Sequence, residues 1–234
     1  MFNGGQVYLG TSGSLRAAVL GVNDGLVSNF CLVMGIAGGT NNTAVVLLAG
    51  VAGLFAGAFS MAVGEYVSVR SQKDLFEYQI GLERATIESS PEDSREDLVE
   101  IYTSKGLSME QAGTIADQIM SDPSITLDTL IRERLGLNPS HLGSPWSAAI
   151  SSFGAFVAGA LVPIIPYLLG SDNMVVLQSS LLSASSLILI GGTLSWMSKK
   201  KIIWGAARMA CLGGLAALVT FGLGNIVGSS IASL

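Results

Sequence analysis

The stretch Ser60-Met61-Ala62-Val63-Gly64-Glu65-Tyr66-Val67-Ser68-Val69-Arg70-Ser71-Gln72-Lys73-Asp74 is where this chain changes solvent. Two long apolar runs precede it, and charges recur from Arg70 through Arg134 after it. Without a glycine pair or a proline to interrupt the pattern, one helix is expected to leave a membrane here and enter water. Met61 and Glu65 lie at its buried end, four residues apart. That spacing puts a thioether and a carboxylate on one helical face.

The composition agrees with a membrane protein: 50% of the 234 residues are hydrophobic, 12% are charged and 29 are glycine. Charge is segregated. Fourteen of the seventeen acidic residues fall between Asp74 and Glu133, which leaves Asp24, Glu65 and Asp172 for the rest of the chain. An acidic middle segment suits cations and argues against nucleic acid. Cys31 and Cys211 sit in apolar runs with no CxxC spacing and read as small packing residues.

In chain order, residues 1–14 form a polar, glycine-rich tail, expected to be mobile, with none of the basic charge a cleaved signal peptide carries. Residues 15–70 hold two spans, Leu15 to about Gly38 and Ala44 to about Val69, joined by an uncharged turn. Each is long enough to cross a bilayer. The second is lined on one side by Gly50, Gly53, Gly57 and Gly64, which predicts close backbone approach by its neighbours.

Residues 71–145 are read as a soluble helical insert. The second helix continues to Glu88, and Ser90-Pro91-Glu92-Asp93 then starts a helix that buries Leu98, Ile101 and Tyr102. Ser108-Met109-Glu110-Gln111 caps the next helix, to Met120. Asp122-Pro123 opens the last, with Leu127, Leu130, Ile131 and Leu135 on its apolar side and a stop at Gly136.

Residues 146–234 supply three more spans: Trp146–Leu169, bent by Pro163 and Pro166; Met174–Met197; and Ile202 onward. The fold class is therefore an all-α membrane protein of five transmembrane helices, with a cytoplasmic three-helix insert between the second and third. With the N-terminus and insert in the cytoplasm, all twelve Lys and Arg lie on or near that side. The positive-inside rule selects this orientation.

A carboxylate within a span is costly and marks an ion or proton path by default. Asp24 lies roughly 14 Å in from Leu15, and Met61 roughly 15 Å in from Ser71 on an antiparallel helix, so the two reach one depth. Glu65 lies a turn nearer the cytoplasm. Carboxylate with thioether suits a borderline divalent first-row metal better than Na+, K+ or Mg2+. The plainer readings are packing for Met61, a cap at a helix break beside Gly25 for Asp24, and snorkelling or pairing with Arg70 or Lys73 for Glu65.

In the insert, Asp93, Glu96, Asp97 and Glu100 fall on one helical face, where like charges repel unless a counter-ion sits among them. Glu83 and Glu88 on the preceding helix and Glu133 on the last extend this set into a candidate divalent site. The alternative is a solvated acidic face. His141, in the linker of residues 139–145, reads as a surface residue.

Asn23-Asp24-Gly25-Leu26-Val27-Ser28, Ser60-Met61-Ala62, Gly64-Glu65-Tyr66-Val67-Ser68-Val69, Ser71-Gln72, Ile101-Tyr102 and Gly106-Leu107 together resemble the vacuolar iron transporter family, along nearly the whole chain from Leu15. The resemblance implies a homodimer with an ion path between the two first helices and a cytoplasmic domain that collects metal. It implies export of Fe2+, often with Mn2+, from the cytoplasm in exchange for protons. By position, Asp24 and Met61 match the membrane ligands, Glu65 lies in the Gly-Glu-Tyr block, and Glu83, Asp97 and Glu133 match carboxylates of the cytoplasmic site.

The chain departs from that pattern at Thr86 and Ser94, where further glutamates are expected, and at Thr129 and Leu130, where the family has methionines. A shift of one residue brings in Asp93 and Glu96 as substitutes.

The expected function is thus a proton-coupled exporter of Fe2+ or a similar ion, not an enzyme, with metal as cargo and no resident cofactor. Its expected partners are divalent ions, protons, membrane lipid and a second copy of itself. A manganese exporter uses the same machinery. A membrane-anchored iron store or ferroxidase is disfavoured, because di-iron bundles use Glu-x-x-His pairs and the single histidine lies in a linker. A structural protein whose acidic domain docks a basic partner leaves Asp24 unexplained. With no sorting signal evident, the expected location is a prokaryotic plasma membrane.

Overall fold

The computed structural model describes residues 13–134, 136, 143–170 and 174–233. The expected tail up to residue 12, Leu135, His141 and Asp172 lie outside the described residues. The helices are α1 (Gly13–Gly39), α2 (Thr43–Ser89), α3 (Pro91–Ser104), α4 (Met109–Met120), α5 (Pro123–Glu133), α6 (Pro145–Leu161), α7 (Ile165–Leu169), α8 (Val175–Met197) and α9 (Ile202–Ala232). Helices α1, α2, α8 and α9 are long and apolar enough to cross a membrane, and α6 is a shorter apolar helix. The chain is a multi-pass, all-helical membrane protein with its helical insert between the second and third spans.

Contacts divide the described residues into two units, one up to Val67 and from Pro145 onward, the other Ser68–Ser144. Helix α2 runs unbroken through the stretch that changes solvent. Its first turn is capped by Asn42, whose side-chain oxygen accepts from the Ala44 amide at 3.0 Å.

In the membrane unit α1 packs backbone to backbone on α6 with its first half and on α9 with its second. Glycines make this possible. A Cβ on Gly25 would strike the Phe156 backbone, and one on Gly159 would lie 2.8 Å from the Leu26 amide nitrogen. A side chain at Gly224 or Gly228 would meet the backbone of Gly35 or Gly39. Asn29 adds a polar tie, its amide donating to the Ala160 carbonyl at 2.7 Å. In an apolar solvent, where burial of oil drives nothing, such close contact and hydrogen bonding hold helices together.

The glycines of α2 behave differently from expectation. Its backbone stays apart from those of its neighbours, and the glycines form holes for large side chains. Leu32 and Asn29 fill the space at Gly53, the Phe156 ring that at Gly57, and Val33 and Ile164 that at Gly50. Gly64 faces open space. Small residues in the sequence signal room, but whether a backbone or a side chain takes it depends on the facing helix.

The two prolines, expected to bend the third span, break it: residues 162–164 form a turn between α6 and α7. Pro166 has no N–H to continue the ladder. The Pro163 carbonyl at the break instead accepts from the Ser179 hydroxyl of α8 at 2.7 Å.

The insert packs Leu98, Ala116 and Leu130 into a small core against Ile87, Ile101 and Tyr102. Ser108 and Gln111 form the expected reciprocal capping box. Ser90 makes no side-chain cap bond; Pro91 and the first-turn acids Glu92 and Asp93 start α3 without it. Helix α5 stops at Glu133, short of Gly136, which has φ +64°.

On α6, Gly159 touches backbone whereas Gly154 faces open space. Gly159→Ala is therefore expected to destabilise the protein by about 1–3 kcal/mol through overpacking, and Gly154→Ala to leave it unchanged or slightly more stable. Thermal unfolding of the two variants in detergent checks this; equal midpoints would refute the packing role of Gly159.

Candidate metal path and carboxylates of the insert

Helix α1 turns most of its surface toward α6 and α9. The remainder is a stripe at four-residue spacing, Leu20, Asp24, Ser28 and Leu32, all exposed in the single chain. Asp24 lies on an intact helix, so there is no helix break for it to cap. Its backbone carbonyl accepts from the Ser28 hydroxyl at 2.5 Å, while its carboxylate has no partner among the described residues. The stripe borders α2, because Leu32 at its far end reaches Gly53.

Phe156 links the depths of the two helices. Its backbone sits against Gly25 and its ring fills the place of a side chain at Gly57. Gly57 lies one turn from Met61, so Asp24 and Met61 come within about a turn of each other in depth. Met61 is half-buried and packs beside the cluster that contains Phe156.

Glu65 is half-buried one turn further toward the insert, with Oε2 inaccessible and unpartnered. The next residue, Tyr66, stacks on Trp146 with ring centroids 4.9 Å apart, fixing this end of α2 against the start of α6. Arg70 pairs with Asp74 at 2.9 Å and Lys73 with Glu77 at 3.7 Å, so both of the cations considered as partners for Glu65 are engaged elsewhere.

Asn23 beside Asp24 also has a buried, unpartnered side-chain oxygen. From sequence alone it received no role of its own beyond the motif it opens, although its place next to Asp24 was a usable signal. Buried polar atoms are normally hydrogen-bonded, and here three side-chain oxygens in the α1 and α2 spans, those of Asn23, Asn29 and Glu65, are left open.

The insert presents the opposite picture. Glu83 is 6% exposed and accepts from Arg134 Nη1 at 3.4 Å; the same nitrogen lies 2.7 Å from Asp97. Glu133 pairs with Lys105. The three carboxylates matched by position to a metal site therefore hold two of the chain's own cations. Asp93, Glu96, Glu100 and Glu88 are exposed. Arg95 leaves this acidic face and binds Asp117 of α4 at 2.5 Å, which holds the Asp117 carboxyl below its ordinary range. Among the described residues no three His, Cys, Asp or Glu side chains converge on a point that would hold a metal within one chain.

Comparison with known proteins sets this geometry in a family. The model of the VIT family matches residues 15–225. The chain is 35% identical to a vacuolar iron transporter of Acanthamoeba castellanii over 221 residues, covering 92% of this chain and 79% of that one. It is 30% identical to a vacuolar iron transporter of Toxoplasma gondii over 227 residues, 93% of this chain and 75% of that one. With vacuolar iron transporter 1 of Arabidopsis thaliana the identity is 28% over 219 residues, 93% and 88% of the two chains. These relatives are eukaryotic and named for the vacuole, and they lend no support to a prokaryotic plasma membrane. The family match runs from the first span through most of α9 and takes in both motifs around Asp24 and Met61: the chain belongs to the VIT family.

Proposed function

We propose that this protein carries Fe2+ out of the cytoplasm in exchange for protons, through a path on the exposed stripe of α1 completed by a second copy of the chain. The observation that carries the reading is Asp24: a carboxylate in the middle of an apolar helix, unpaired among the described residues and on an α1 face that they leave open. A charge in that position requires a cation or a proton. The names of the relatives, iron transporters, supply the cargo.

Asp24 and Met61 are the ligands, with Glu65 one turn toward the insert as the group that admits the ion. The Asn23 oxygen is a further donor. One chain offers too few of these for a coordination shell, and symmetry doubles the set. Oxygen donors with a single thioether suit Fe2+. A manganese exporter is the second reading, favoured by the preponderance of oxygen among these donors.

A carboxylate must be deprotonated to hold metal. Protonation of Asp24 from the far side of the membrane weakens the site, releases the ion there and couples its exit to proton entry. The insert gathers cations with its free carboxylates, Asp93, Glu96 and Glu100. Metal reaches Glu83, Asp97 and Glu133 only by displacing Arg134 and Lys105.

The central test is Fe2+ and Mn2+ flux into proteoliposomes under an imposed pH gradient. Asp24→Ala is expected to cut flux to background, at least tenfold, while the protein stays folded; undiminished flux would sink the proposal. A parent protein that moves neither metal at either sign of the gradient would do the same.

A second test concerns the insert. Arg134→Ala leaves Glu83 buried beside Asp97 without its cation. The insert should lose about 1–3 kcal/mol of stability in metal-free buffer, seen as faster amide exchange in α3 and α5 of the full chain, and Mn2+ should restore much of it. Exchange that stays slow without metal would show that Arg134 is not the counter-ion of this cluster.

A further inference from the structure

The α8–α9 hairpin contains a feature that metal transport does not use. From Met174 to Leu234 the chain has four cations, Lys199, Lys200, Lys201 and Arg208, and no acidic residue. None of these cations has an ion pair or side-chain hydrogen bond among the described residues. Lys200, Lys201 and Arg208 line one recess of about 480 Å³ together with Ser195, Trp204 and Cys211.

The loop that presents them has a defined backbone. The Lys199 amide donates to the Trp196 carbonyl at 3.0 Å and the Lys200 amide to the Ser195 carbonyl at 2.8 Å. This bond pair closes a helix C-terminus through a residue in the left-handed region, where glycine is preferred. Lys199 occupies it at φ 53°, the one non-glycine among the described residues with positive φ. A chain with 29 glycines thus holds a lysine where the backbone favours glycine. The turn places Lys200 and Lys201 at the recess, which Lys199 itself does not line.

Arg208 gives the second indication. It lies six residues into α9, roughly 9 Å from the start of the helix, on the same face as Lys201 and Trp204. A guanidinium at that depth with no acid in either helix needs an anion from elsewhere. Trp204 lines the recess, Trp196 lies in the last turn of α8, and both are exposed, as side chains at the headgroup level are. That sets the lysines among headgroups and Arg208 just beneath them.

We infer that this recess binds the phosphate group of an anionic phospholipid from the cytoplasmic leaflet. Arg208 contacts the phosphate through two of its N–H groups, Lys200 and Lys201 close over it, and the acyl chains follow the exposed apolar residues Leu212 and Leu215 of α9. Basic pockets between membrane helices on this side recognise such headgroups by charge. A soluble phosphate shares the charge but gains nothing from the apolar flank. The inference does not depend on which ion the protein carries.

The test uses the full chain in detergent micelles doped with phosphatidylglycerol or phosphatidylcholine, with retained lipid measured by native mass spectrometry. Phosphatidylglycerol should be retained at least tenfold over phosphatidylcholine, and 10-fold excess inorganic phosphate should not displace it. Arg208→Gln should remove most of this preference. Lys200→Gln/Lys201→Gln should reduce it severalfold while leaving the thermal midpoint unchanged, because both lysines are exposed. Equal retention of the two lipids would overturn the inference, and so would a preference that survives both substitutions. Displacement by inorganic phosphate would make the recess a free-anion site and overturn the assignment to lipid. If Arg208→Gln does not fold, the Lys200→Gln/Lys201→Gln variant alone decides.

Discussion

The membrane unit depends on how closely α1 approaches α6 and α9. At Gly25, Gly159, Gly224 and Gly228 the backbone of one helix occupies the space a side chain would need on the other. Lipid tails compete with apolar side chains on equal terms, so ordinary hydrophobic packing would not hold these helices in register. Contact between backbones does, because no lipid can fit there. This constraint also decides what α1 leaves uncovered. With one half committed to α6 and the other to α9, the stripe through Asp24 is the face that remains.

Electrostatics divides the chain into two regimes. In water, the insert can tolerate like charges and still neutralises the carboxylate it buries most, Glu83, with an arginine from the end of α5. In the membrane, where an unpaired charge costs far more, Asp24 has no partner among the described residues, and Glu65 keeps an oxygen buried and unbonded. Groups that the fold could have paired cheaply in water are left open where openness is expensive. Under the proposed function, that inversion separates structural charge from charge kept for a passing ion.

Much of this was legible in the sequence for clear reasons. The five apolar stretches, the long α2 and the place of the break at Pro163 and Pro166 follow from hydropathy and backbone chemistry that need no partners. Ser108 and Gln111 cap as their spacing implies. Asp24 stood out because an acid in an apolar run has few explanations. Contacts between distant residues were not legible. Nothing in the sequence says that Arg134, fifty-one residues from Glu83, ends beside it, or that Arg95 turns from its acidic neighbours to Asp117. Asn23 received no role of its own because an amide in a span says little until its oxygen is found buried without a donor.

The sequence by itself therefore determined which segments enter the membrane, where the chain passes into water and which side chains carry unusual chemistry in each. These properties are local, set by the free energy of moving each residue between solvents and by the bonds a backbone can make with its near neighbours. Only the tertiary structure decided which α1 face stays open, that the glycines of α2 receive side chains and not a backbone, and that carboxylates of the insert already hold cations. Those outcomes depend on which surfaces meet at close range, and steric fit between helices far apart in the chain is not a property of any one stretch of it.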